Sequence, residues 1–211
     1  MRLTSALALV CGALSLAACA TTVRSQSYPA LAEHPSPRRI AVAPFEIAGS
    51  LAEAETPASA ESAAGFAAEL VARQLAEQLA ADGREVVAPE DVAQLLRAEA
   101  ASSEERTPAR AARLVAERFG ADAILLGTLH RFRERRGGAA GSLAPASVGF
   151  EVTLVAAPGG QKLWRGLFDE TQAGLSENVL NVTRYPGAGT RWLTAEELSR
   201  WGAEEVASAL P

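Results

Sequence analysis

The chain has 211 residues, room for one domain or one domain with a tail. Hydrophobic residues make up 48% and charged residues 21%, which excludes a largely disordered chain and a polytopic membrane protein. Lys and Arg number 20 against 25 Asp and Glu, and this net −5 argues against bulk nucleic-acid binding, where a basic excess is the rule.

Arg2 is followed by an apolar run from Leu3 to Ala18, the pattern of a secretory signal. The run is shorter than the about 20 apolar residues a membrane-spanning helix needs. It ends in Leu16-Ala17-Ala18-Cys19, which resembles a bacterial lipobox. Small residues before the thiol suit a narrow peptidase site, and Cys19 is the one side chain there that can take a thioether-linked diacylglycerol. The expected division is a signal peptide at 1–18, a lipidated Cys19 with a flexible tether through 37, and one periplasmic domain at 38–211. Cys11 leaves with the signal, so no intrachain disulfide or thiolate metal site is expected. The residue after Cys19 is Ala20 rather than Asp, which by resemblance to lipoprotein sorting in diderm bacteria implies the outer membrane. Residues 20–37 carry three Pro and no periodicity and read as a linker, with His34 a spacer residue. Their reach is at most about 60 Å.

Arg38 to Phe45 is a continuous apolar run behind two Arg, as in a strand covered on both faces, with Pro44 at its end. Ile47 to Ser59 reads as a connection. Ser62 to Asp82 reads as a helix burying Phe66, Leu70, Val71, Leu75 and Leu79, closed by Gly83. Glu85 to Ala88 is a short strand, and Pro89 opens a second helix to about Glu99. Thr107-Pro108 opens a third helix, which runs to Phe119 with Gly120 behind it. Asp122 to Phe132 is a long strand, followed by a Gly/Ala-rich turn at 137–145. Val148 to Ala156 alternates, with Val148, Phe150, Val152 and Leu154 on one face. After Pro158-Gly159-Gly160, Lys162 to Phe168 forms the next strand. Leu175 to Val182 suggests a short helix or extended piece, and Tyr185 to Gly189 a loop. Thr194 with Glu197 makes a capping box for a last helix with Leu198, Trp201, Val206 and Leu210 inward. The expected fold is therefore an α/β sandwich, with a mixed sheet ending in a three-stranded antiparallel meander and helices packed against it.

Three stretches carry a family resemblance. Arg39 to Phe45, RIAVAPF, resembles the first strand of the lipoprotein family that includes the curli secretion channel subunit CsgG and the penicillin-binding-protein activator LpoB. Phe119 to Gly127, FGADAILLG, resembles that family's helix-to-strand junction, and Leu163-Trp164 its meander strand. Residues 164–178 and 191–198 are also similar to a group of delta-proteobacterial lipoproteins without an assigned activity. The resemblance implies a CsgG/LpoB-like fold and work in the envelope. The curli channel sets two hairpins per subunit into the membrane, and each such strand needs about 9–11 residues with an apolar lipid face. Neither Ile47 to Ser59 nor the Arg-rich 133–146 meets that need, which argues against a pore. The long tether implied for an LpoB-like activator is also missing.

Catalytic signatures are absent from the sequence. It has no Gly-x-Ser-x-Gly elbow and no phosphate-binding Gly-rich loop. His130 reads as a strand residue rather than a proton shuttle. The chain is expected to be non-enzymatic and to take no cofactor or metal. Arg131, Arg133 and Arg135 alternate along a strand and are followed by Arg136, the one basic cluster in an acidic chain. Tyr185, Arg191 and Trp192 are residue types enriched at binding hot spots. These seven are the candidate partner-binding residues, for anionic headgroups, peptidoglycan carboxylates or an acidic protein. The expected function is a lipid-anchored, protein-binding component of an envelope assembly or secretion system. The alternatives are a homo-oligomeric, ring-forming channel or channel-cap subunit and an auxiliary lipoprotein of lipid transport.

Overall fold

The computed structural model describes residues 22–34, 36–49, 57–99, 107–139, 141–173, 185–186 and 191–211. The signal peptide, Cys19 and residues 175–182 lie outside the described residues, as does most of the Tyr185 to Gly189 loop.

A seven-stranded mixed sheet forms the frame. In chain order its strands are β1 (Val23–Ser27), β2 (Arg39–Val42), β3 (Glu46–Ile47), β4 (Glu85–Val87), β5 (Ala123–Arg133), β8 (Ser147–Ala156) and β9 (Lys162–Thr171). Strands β6 (Arg136–Gly137) and β7 (Ser142–Ala144) make a separate hairpin. The spatial order is β1-β9-β8-β5-β2-β4, with β3 beside the far end of β5. Strands β2, β3 and β4 run parallel to β5, while β5, β8, β9 and β1 are successively antiparallel. The α/β class, the meander and the packed helices are as expected.

Helices α1 (Pro57–Ala81) and α4 (Ala195–Ala209) cover one face. They enclose the inward residues of the alternating β8, Val148, Phe150, Val152 and Leu154, all fully buried. Phe45, Phe150, Phe168, Trp201 and Tyr185 form a chain of ring contacts through this core, with centroids 5.3–6.0 Å apart. Helices α2 (Pro89–Ala98) and α3 (Pro108–Phe119) cover only part of the opposite face, over Ala41, Ala43, Ile124 and Val155.

The family-like FGAD stretch has a local physical explanation. Gly120 ends α3 in the left-handed region, at φ 62°, where a side chain is disfavoured. Ala121 is buried. Asp122 then accepts from the backbone N–H groups of Arg38 and Arg39, both at 2.9 Å. The carboxylate thus fixes the start of β2 beside β5.

Two expectations are corrected. The tether is largely folded, because Val23–Ser27 pairs with β9 and Pro29–Glu33 forms a 3-10 turn. Only Val23 of β1 is buried, and an edge strand with a single covered residue carries no hydrophobic alternation. Within α1, Phe66 is 62% exposed and Leu70 only half-buried. Small residues form the contact instead: Ala64, Ala67, Ala68 and Ala72 line up with Val71, Leu75 and Leu79.

Candidate functional site

The uncovered part of the second sheet face is where the structure offers a site. Beyond α2 and α3 this face presents Thr128, Glu151, Thr153, Arg165 and Leu167, none of them buried. A cleft of about 390 Å³ opens between this strip, α3 and the end of α2. Ala43, Pro44, Leu96, Leu114, Leu126 and Val155 give it apolar walls. Glu46, Glu99, Arg110, Glu151 and Lys162 stand around it, with Thr128 and Thr153 between. Glu151 is ion-paired with Arg165 across β8 and β9. The position follows from chain lengths: α2 and α3 have 10 and 12 residues, too short to span the strip. The alternation along β8 marks Thr153 and Glu151 as outward residues but does not show what lies above them.

The arginine cluster divides. Arg131 and Arg133 share a face, as the spacing implied, and a bulge that makes His130 the extra residue between Leu129 and Arg131 turns that face away from the one that buries Leu129. Arg131 donates Nε–H to Ser147 Oγ at 2.5 Å and pairs with Asp169, which also lies 3.7 Å from Arg24. Arg133 and Arg136 are exposed. Arg135 departs from the expected face. Its strand has ended, its side chain is only 19% exposed, and it donates to the backbone oxygen of Trp192 at 2.7 Å. His130 is exposed, and His34 Nδ1 lies 2.7 Å from the Ala30 oxygen.

Of the other candidates, Tyr185 is corrected from surface to core. It is 5% exposed, its ring meets Trp201, and its hydroxyl accepts from the Ala173 N–H at 3.3 Å. Trp192 is half-buried, and its backbone N–H donates to the Ala139 oxygen. Arg191 forms a bidentate pair with Glu197, both distances 2.7 Å. That hydrogen-bonded pair lowers the Glu197 carboxyl from 4.5 to about 2, against the opposing effect of partial burial and with help from Thr194. Arg191 therefore orders the first turn of α4, where the expected Thr194–Glu197 capping box is present.

Sequence reasoning missed Gln172. This buried amide accepts from the Leu193 N–H at 2.7 Å and donates to the Arg191 oxygen at 2.9 Å. Together with Arg135 it holds 191–193 against the end of the meander. No periodicity marks a buried amide just after a strand. Among the described residues, no three His, Cys, Asp or Glu side chains gather as a metal site, and no helix is long and apolar enough to cross a membrane.

No protein-family model matches the chain, and no curated protein matches it. Among solved structures, the PelC dodecamer from Paraburkholderia phytofirmans aligns with a TM-score of 0.47 and 18% identity, over 89% of this chain and 95% of that one. Lipoprotein GNA1162 from Neisseria meningitidis aligns at 0.43 and 20%, over 67% and 86%. The C-terminal domain of LpoB from Escherichia coli aligns at 0.36 and 15%, over 68% and 94%.

Proposed function

We propose that this chain is a lipid-anchored protein on the periplasmic face of the outer membrane, and that it works without catalysis by binding another envelope protein. The lipobox-like Leu16 to Cys19 supports the anchor. The observation that carries the binding role is the cleft beside α3. Its apolar walls and charged surround of both signs match the anatomy of a protein interface, an apolar centre inside a polar rim. A lipid carrier would need a continuous apolar cavity, whereas Glu46, Glu99 and Glu151 interrupt this one. The lipid-transport reading has less support for that reason.

The test is a photo-cross-linking amino acid at Thr128, in cells, with and without Thr153→Arg to obstruct the cleft. The expected result is one discrete adduct with an envelope protein, lost in the Thr153→Arg background. Unmodified monomer alone would remove the reading. An adduct at twice the chain's own mass would favour a second reading, self-association. That reading has its own observation: four of the five residues of edge strand β1 are exposed, and an open edge can pair with another chain.

A further inference from the structure

We infer that the end of the domain formed by the β6–β7 hairpin, the last residues of β5 and the entry of β1 rests on an anionic lipid bilayer. The inference depends on the lipid-anchor reading of Cys19, and it concerns a different surface from the cleft.

The direction and length of the chain set which end faces the membrane. Val23 pairs with Phe168 and Ser27 with Trp164, antiparallel. Followed backwards, the chain leaves Val23 towards the Asp169 to Thr171 end of β9. Three residues, Ala20, Thr21 and Thr22, separate Val23 from Cys19. Even fully extended, that connection spans at most about 14 Å. An acyl group on Cys19 would hold this end of the sheet within about that distance of a membrane. A tether reaching residue 37 would have allowed any orientation. One that ends at residue 22 does not.

The same end displays a surface suited to that place. Thr171 pairs with Ser147, and Ser147 with Arg133, so the exits of β9 and β5 lie together. The β6–β7 hairpin follows directly and carries Leu143, 90% exposed, beside exposed Arg136. Arg24, Arg131, Arg133, Arg135 and Arg136 are here, with Arg191 and Arg200 at the first turn of α4, against the carboxylates of Glu134, Asp169, Glu170, Glu196 and Glu197. In a chain of net charge −5 this is a local basic excess. The other large exposed hydrophobic side chains among the described residues, Ile47 and Phe66, lie in the same half. Ile47 is beside Leu129, and Phe66 is two helical turns before Gln74, which hydrogen-bonds to Glu196 in the first turn of α4. That turn is held at this end by Glu134, which accepts from the Ala195 N–H. Exposed arginines around a protruding leucine suit an interface of phosphate headgroups over hydrocarbon.

The experiment uses the full, lipidated chain in phosphatidylcholine vesicles with and without phosphatidylglycerol. Gly138→Cys places an environment-sensitive dye on the hairpin, where an added side chain meets open space and Leu143 is retained. Arg118→Cys, at the exposed end of α3, is the reference site. Nitroxide-labelled lipid should quench the dye at 138 and leave that at 118 unchanged. The double variant Arg133→Gln, Arg136→Gln should reduce the quenching on anionic vesicles while the protein still floats with them. Protein that floats while the dye at 138 is unquenched would overturn the inference, leave the anchor intact and free this end for a protein partner. Protein that does not float at all would overturn the anchor reading and this inference with it.

Discussion

Glu197 serves two partners at once. Its carboxylate accepts from the Thr194 N–H, its own N–H donates to the Thr194 hydroxyl, and both oxygens face Arg191. The Thr–Glu pair was legible because a capping box has a fixed spacing of three. The Arg191 contact was not, because no periodic rule ties a residue outside a helix to one inside it. A carboxyl that is more acidic folded than unfolded stabilises the fold above its ordinary value of 4.5, and this contribution fades as pH falls towards about 2. Thermal melts should therefore show wild type losing more stability than Glu197→Gln between about pH 5 and about pH 2.5. Parallel losses in the two proteins would refute the assignment. Tyr185 and Trp192 illustrate the same limit from the other side. Both look like hot-spot residues by type, but only geometry separates a ring packed edge-on against Trp201 from one that is half-exposed.

At the scale of elements, the helices were legible where caps and turn residues mark their ends: Thr107 with Pro108, Gly83, Gly120 and Thr194. Which face each helix buries was less legible in an alanine-rich chain. In α1 the eye follows Phe66 and Leu70, but close approach to the sheet is made by alanines, and Phe66 is left outside. Helix α4 uses the same strategy through Gly202. A Cβ there would lie 2.7 Å from the Phe168 ring and 3.0 Å from the Phe150 ring. Those rings are fixed by their neighbours at 5.3 to 6.0 Å and have little room to move. Gly202→Ala should accordingly cost about 1–3 kcal/mol by overpacking, in spite of alanine's better helix propensity. Denaturant titration of the two proteins checks this, and a variant as stable as wild type would show that α4 can slide outward freely.

For the whole molecule, strands β2, β4, β5, β8 and β9 followed from hydrophobic runs and alternation, whereas β3, β6 and β7, two or three residues long and not buried, fell in stretches that read as connections and turns. Strand β1 escaped, since its sequence is polar and its place is set by a partner about 140 residues away. The cleft escaped too, because it is a gap between elements and no residue pattern encodes where a helix stops short. The ring alternative is decided at this scale. Light scattering on the detergent-extracted, lipidated protein should give the mass of a monomer if the cleft is the working surface. A closed assembly of many copies would transfer the weight to the edge of β1.

Strand β1 is also the first part of the sheet to leave the ribosome and among the last to find its place. Among the described residues its one strand partner is β9, so Val23–Ser27 must wait until residues 162–171 have been made and the meander has formed. A strand kept waiting in this way is a hazard if it is apolar, because it can pair with a neighbouring chain. Arg24, Ser25, Gln26 and Ser27 give the waiting strand no apolar surface to drive such errors before it is set beside β9. The polarity that hid β1 in the sequence thus serves the nascent chain as protection during the interval before the sheet closes.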